Sequence, residues 1–459
     1  MMKNEKKDDY KLLLDGYHGI GGFLDGSYLE RHPREAPEKY TLRQKLAYYL
    51  NYLKPCIDAH VSPVFKVEAV RDWTGQGSSL WAMFVEDVDF TGRTIENLMR
   101  MAALHSKLCG VSFLVVDRVN EGEQPMTIGA MAESRKNLPY AFVVDAIRVI
   151  ELTADKFGRI TKFVYTEPDE DDDTHTPAKR TLTPEGWILE DSKGKRSGTW
   201  NLGGMVPVIP LFSKDAGAHE LLPPSEFLSI AKTNLAIYNM SSWLSEILVN
   251  QTFSVLTYPS NDLEGLTIGT NNAIGYPPEA SHKPEFISPS PDPAQILSDN
   301  INRLQEECYR MASVVNVTGV RSQSSGIAKA WDFEQTNQIL ADFALQVEAA
   351  EKKLAMLFAL FCGTQLEYTV KYPNDFNVSD VENELAKAEI AKGLAFGDAF
   401  NVEVFKRVIT AYLPELEDVD FDRLVKAYAA EQEKVRETLA QNPAEPPIDE
   451  PREPQDDDE

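Results

Sequence analysis

The chain has 459 residues, 43% of them hydrophobic and 10% aromatic, enough for roughly two to four domains around a sizeable buried core. Asp and Glu outnumber Lys and Arg by 72 to 46, a formal charge of −26, so the surface on average repels nucleic-acid backbones and anionic membranes, and any contact with DNA has to be local or weak. There is no apolar run of about 18 residues, no apolar signal core in the opening MMKNEKKDDYK, and no CxxC pair among Cys56, Cys109, Cys308 and Cys362. The expectation is a cytosolic-type chain with reduced, mostly buried thiols and no membrane partner.

In chain order, GIGGF (19–23) has neither the preceding strand nor the following Lys-Ser/Thr of a phosphate-cradling loop, and reads as a flexible arm. Helical spacing predicts one helix from Tyr40 to Leu53 and another from Thr94 to Leu108, stopped at Gly110. The period then changes. VSFLVVDRV (111–119), YAFVVDAIRVIEL (140–152) and RITKFVYTE (159–167) are rich in β-branched and aromatic residues, with Asp155 to Gly158 as a hairpin turn. The acidic block Glu167 to Asp173 lacks the alternate spacing of a cation loop and reads as a solvated loop. Further strands are expected in RTLTPEGWILE and SGTWNLG, giving an α+β domain over about residues 1–220.

Leu222-Pro223-Pro224-Ser225 marks a boundary, with Ser225 as N-cap of a helix of about 26 residues. That helix is apolar on several sides, so one neighbour in its own chain would hardly cover it. Residues 253–291 read as short strands and turns dense in Gly, Pro and Asn. Asp292-Pro293 then opens a helix with Leu297, Ile301, Leu304, Cys308, Met311 and Val315 at alternating steps of four and three. The two helices flanking the insert should run antiparallel if the insert sits at one end. A short, mobile Ser/Gly-rich loop (317–328) runs into a very long helix ending near Phe361. LEYTVKYP (366–373) is one last strand, followed by helices at 381–393, 402–412 and 421–438. Residues 442–459 carry eight acidic residues, one Arg and five Pro and are expected to form a disordered tail, which leaves −19 on the rest.

Little in this pattern suggests chemistry. Ser324 and Ser325 with Lys329 could form a Ser/Lys pair, but no oxyanion-hole signature accompanies them. The seven histidines show no HxH or HExxH spacing, so neither metal nor cofactor is expected, and the chain does not read as an enzyme. The seam from Leu297 to Val315 fits either intrachain core or an oligomer interface, and Trp243, Trp331 and Phe333 are packing residues by default. Arg321 and Lys329 bracket the loop with positive charge.

The order of parts is distinctive: an α+β body, a long helix, a β-rich insert, a second helix, a loop, a very long helix, a strand and a helical end. Together with YLNYLKPCIDAHVSPVFK, FVEDVDFTGRTIENLMRMAALHSKLCGVSFLVVD, WNLGGMVPVIPLF and above all RMASVVNVTGVRSQSSGIAKAWDFEQTNQILADFALQVEAAEKKL, it resembles the portal proteins of tailed bacteriophages over nearly the whole chain. The resemblance implies a mainly helical α+β portal fold with a wing (1–222 and 330–379), stem helices (223–252 and 293–316), a clip (253–292), a tunnel loop (317–329), a crown (380–437) and a disordered acidic tail (438–459). It further implies a ring of about twelve copies at one capsid vertex of the virion, assembled in the host cytoplasm. Its expected partners are the large terminase, the major capsid or scaffold protein, and the head-completion adaptor and tail proteins, with double-stranded DNA passing through without sequence specificity during packaging and ejection. On this reading Arg321, Ser322, Gln323, Ser324, Ser325 and Lys329 face the DNA channel, and Leu297, Ile301, Leu304, Met311, Trp243 and Leu244 pack the stem and the interface between copies. A virion connector or scaffold component of another kind, and an enzyme with an unrecognised site, are the alternatives.

Overall fold

The structure is a computed structural model that describes residues 4–118, 129, 138–168, 177–214, 220–252, 255–259, 273–276, 279, 285–287, 290–313, 326–374, 376, 388–390, 398–412 and 418–441; in some of these, 326–333 among them, the backbone alone is described. Two compact units divide the chain, Met1–Phe376 and Asn377–Glu459.

The first unit opens with α1 (Asn4–His18) and the short α2 (Gly22–Asp25). GIGGF is therefore a packed turn and not a flexible arm. Phe23 is buried there and its ring stacks on Tyr49 with centroids 4.0 Å apart. The helix expected from Tyr40 to Leu53 is two helices, α3 (Pro37–Leu46) and α4 (Leu53–Val61). Ala47 leaves α3 with ψ of 142°, and the break is held from far along the chain. The buried Asn234 carboxamide oxygen accepts from the Tyr52 and Leu53 amides at 3.0 and 3.2 Å and from Tyr49 Oη at 2.8 Å, while its nitrogen donates to the Leu50 carbonyl. One side chain thus satisfies the orphan backbone groups that a continuous helix would have paired.

β1 (Val70–Thr74) and α5 (Ser78–Glu86) follow, neither evident from the sequence pattern, and then α6 (Ile95–Cys109). Thr94 caps α6 by accepting from the Asn97 amide, and Gly110 ends it at φ 88°. A Cβ at Gly110 would lie 2.7 Å from the Pro223 carbonyl, so both the backbone conformation and the close approach require glycine. β2 (Val111–Arg118) is buried along nearly its whole length. It lies between antiparallel β3 (Pro139–Asp145) and β9 (Val208–Phe212). The apolar run 140–152 is not one strand. After β3, a 3-10 turn at Ala146–Arg148 redirects the chain into β4 (Val149–Ala154), which belongs to a different sheet. That sheet is an antiparallel meander of β4, β5 (Ile160–Glu167), β6 (Ala178–Thr183), β7 (Gly186–Asp191) and β8 (Gly194–Thr199). The predicted hairpin turn is present: Asp155 Oδ1 accepts from the Phe157 and Arg159 amides. The acidic run from Asp169 to Asp173 lies outside the described residues.

α7 (Leu228–Thr252) leads to a small sheet of β10 (Val255–Pro259), β11 (Ala273–Tyr276) and β12 (Glu285–Ile287). α8 (Asp292–Met311) returns, and α9 (Gly326–Cys362) runs for 37 residues before β13 (Glu367–Lys371), which pairs antiparallel with β1. The helix α9 packs on β2, β9 and β13, and its buried face (Phe343, Val347, Leu354, Phe358) joins the same core as β2 and α6. The second unit contains α10 (Asp398–Tyr412) and α11 (Asp418–Gln441), packed on each other through the stacked rings of Phe405 and Tyr428. Of the helix expected at 381–393, residues 388–390 are described and helical, and the acidic tail lies outside the described residues. The chain is a mixed helix-and-sheet protein with mainly antiparallel sheets.

Candidate functional site: the α7–α8 pair and its base

The helices that flank the insert pack directly on each other and run antiparallel. Asn300 on α8 donates to Met240 Sδ of α7 at 3.1 Å, whereas Ile230 near the start of α7 shares a cleft with Ala312 at the end of α8. A step forward along one helix is therefore a step back along the other. The apolar surplus of α7 is largely absorbed within the chain, because α1, α3 and α4 also pack on it and bury Ile230, Ile237 and Tyr238. Trp243 and Leu244 are half-buried, and Leu248 and Val249 at the far end are exposed. On α8 the seam turns Ile301 and Cys308 fully inward and Leu297 and Leu304 partly so, while Met311 is exposed.

The base of the pair is held by buried polar groups. His60 Nε2 donates to the Ala312 carbonyl at 2.7 Å, and Thr336 Oγ1 from α9 donates to the Ser313 carbonyl at 2.7 Å. The carbonyls of the two residues that follow α8 are thus claimed by side chains from two other elements. Burial pushes the His60 pKa down, so the ring is a neutral donor that adds no charge to this end. Beside it, the Lys107 ammonium at the end of α6 is 1% exposed. It donates to Glu226 Oε1 at 2.8 Å and to the Ser213 carbonyl at 3.0 Å, and it stands 4.4 Å from the Phe343 ring centroid. Burial lowers the Lys107 pKa and the carboxylate opposes that shift, the usual balance for a buried ion pair. A cleft of about 490 Å³ opens over this cluster. Its arrangement can fix α6, α7, α8 and α9 at one point; nothing in it aligns a nucleophile with a base.

Further along the pair, Arg43 of α3 is buried. It forms a two-pronged bond to Glu35 with both contacts at 2.8 Å, and it also donates to Ser242 Oγ on α7 at 2.9 Å. Those bonds hold the Glu35 carboxyl below its usual range.

Arg321, Ser322, Gln323, Ser324 and Ser325 lie outside the described residues. Helix α9 begins at Gly326, so the backbone at Lys329, expected in the loop, is already helical. His60, Lys107, Glu226 and Thr336 were not singled out from the sequence. The available signals were a lysine in the last turn before Gly110 and a glutamate directly after the Ser225 cap. Among the described residues no group of three potential metal ligands comes together, and no helix is long and apolar enough to cross a membrane.

No family model and no curated protein matches the chain. Among solved structures it is similar to a chain in the neck of an empty gene transfer agent (GTA) particle computed with C6 symmetry, at TM-score 0.42 and 11% identity over 88% of this chain and 99% of that one. A chain in the virion of a native GTA particle gives 0.40 and 13% over 86% and 98%. One in the neck of a native GTA particle computed with C12 symmetry gives 0.40 and 12% over 85% and 98%.

Proposed function

We propose that this chain is a structural subunit of a phage-like head–tail connection, and specifically a portal protein whose copies form a ring around a DNA channel. The observation that carries the reading is the antiparallel α7–α8 pair. It projects a β-rich insert at one end, is pinned to an α+β body at the other, and is followed along the chain by a 37-residue helix that begins at Gly326. Such a part order suits a fixed strut with an element at its base that meets the channel, and it matches the segments quoted above. Residues 317–329 are the proposed channel-facing segment, with Arg321 and Lys329 as its cations.

The charge supports the same reading. Every phosphate that a fixed cation neutralises adds affinity, and affinity resists sliding; a strongly acidic body lets DNA pass. The role proposed is mechanical, and the chemistry of packaging is left to a partner ATPase of the terminase class. Purified protein imaged by electron microscopy should show closed rings of about twelve copies with a central pore. A monodisperse monomer under all assembly conditions refutes the proposal. A connector further down the tail is the second reading, and labelling the protein in particles separates the two by its position relative to the packaging motor.

A further inference from the structure

Two apolar features of the first unit stand apart from its core. One is a groove of about 380 Å³ between α3 and α7, lined by Leu42, Leu46, Ala47 and Val249 together with Ser242 and Ser245. Leu46 is 62% exposed and Val249 51%. The groove continues past Lys39 and Glu246 into a second depression beside Trp243. The other feature is a single knob. Ile296 of α8 is 68% exposed, one position off the partly buried Leu297–Ile301–Leu304 seam, among Asp292, Asp299, Asn300 and Arg303. A large aliphatic side chain on the wrong face of so amphipathic a helix has no use in the chain's own core.

We infer that Ile296 of one copy seats in the α3–α7 groove of a second copy, and that this contact closes the ring. Three observations select a second copy as the occupant. First, charges match: Asp292 and Asp299 flank the knob one turn to either side, whereas Lys39 lines the groove on α3. Glu246, the carboxylate in the groove, lies within electrostatic reach of Arg43, whose direct partner is Glu35. Second, heights match. With Met240 level with Asn300, and Ile230 sharing a cleft with Ala312, Ile296 is level with about residue 244 of α7, between the groove's Ser242 and Ser245. A rotation about an axis parallel to the pair preserves height, so the knob of one copy meets the groove of the next without a shift. Third, knob and groove are different surfaces. Filling one groove leaves the second copy's knob free for a third, and such head-to-tail contacts close into rings where a self-complementary patch would stop at a dimer.

The inference rests on the ring reading proposed above and is tested on the full chain by mass photometry. Ile296→Asp and Leu46→Asp each place a carboxylate in the contact, weakening association at least about a hundredfold, so each alone should be monomeric while the unaltered protein forms rings. An equimolar mixture of the two retains one intact knob and one intact groove and should give dimers and nothing larger. Rings from either single variant overturn the inference and leave the ring reading standing, as does a mixture that stays monomeric. An unaltered protein that never assembles removes the ring reading and this contact with it. Both side chains are exposed, so helicity by circular dichroism should be unchanged. The Ser substitutions at the two positions must reproduce the pattern if either Asp variant misfolds.

Discussion

Removing the Glu351 carboxylate should be among the most costly single changes in the protein. Glu351 sits on α9 with no exposed surface, and every neighbour that reaches it is a donor. Arg71 of β1 contributes Nε at 2.7 Å and Nη2 at 3.3 Å, and the hydroxyls of Tyr368 and Tyr372 from the β13 segment complete the set. Glu351→Ala leaves a guanidinium whose side chain is 6% exposed and whose remaining carboxylate is Glu96, itself a quarter exposed. Breaking one side of a buried pair costs about 3–5 kcal/mol, and because Glu96 persists we expect about 3–4 kcal/mol. Glu351→Gln keeps the shape but offers an amide nitrogen where only an acceptor fits, for about 1–2 kcal/mol. Replacing the pair by apolar residues, Arg71→Met with Glu351→Leu, should be milder than Glu351→Ala, because no charge is left stranded. Urea unfolding followed by tryptophan fluorescence and circular dichroism measures all three. A Glu351→Ala midpoint shift worth under about 1 kcal/mol, or a double variant no better than Glu351→Ala, refutes the assignment of this cluster as a buried clamp.

Asn234→Ala should destabilise the first unit by about 2–3 kcal/mol, since it orphans buried amides at the α3–α4 break, and hydrogen exchange at Tyr52 and Leu53 should rise with it. Stability should fall as the pH climbs past the ordinary tyrosine value of 10, because burial raises the pKa of Tyr10, Tyr49, Tyr140 and Tyr368 in the folded state. A group held above its unfolded value loses its contribution as pH rises, so urea midpoints should drop progressively from about pH 10 upward, by at most one proton less steeply in Tyr368→Phe. Deleting Arg321 to Gly326 should leave rings intact and impair DNA packaging or retention; unchanged packaging in a particle assay removes the channel-facing role. Leu304→Asp puts a carboxylate on the partly buried α7–α8 seam and should lower soluble yield or unfold the pair, measured by thermal melting.

Local signals were legible where a residue acts on its own neighbourhood. Thr94 and Gly110 bracket α6 as their types suggest, the β-branched run 111–118 is a buried central strand, and Asp155 and Gly158 make the hairpin turn. What escaped is what distant residues impose. The α3–α4 break depends on Asn234, more than 180 positions away, and nothing in 40–53 announces it. β1 reads as an unremarkable VRDWT until β13 and Glu351 supply its partners. The turn at Ala146–Arg148 hides inside an apolar run because a change of sheet leaves no mark on hydrophobicity. Around the candidate site, the seam on α8 was legible as a period, but Ile296 breaks that period and so went unremarked. The burial of Lys107 and His60 left little trace in the sequence, since their partners Ser213, Glu226 and Ala312 lie more than a hundred positions away.

The β1–β13 ladder bears on when the chain can become whole. Val70 pairs with Lys371 and Thr74 with Glu367, so a strand made early waits for one made nearly three hundred residues later. At ordinary translation rates that interval is roughly 15–60 s, during which Arg71 has no Glu351 and the edge of β1 has no neighbour. Only after residue 371 leaves the ribosome can the clasp shut. Incomplete chains therefore keep a bare strand edge, an open template for pairing, and leave Arg71 with the partly exposed Glu96 as its sole carboxylate partner.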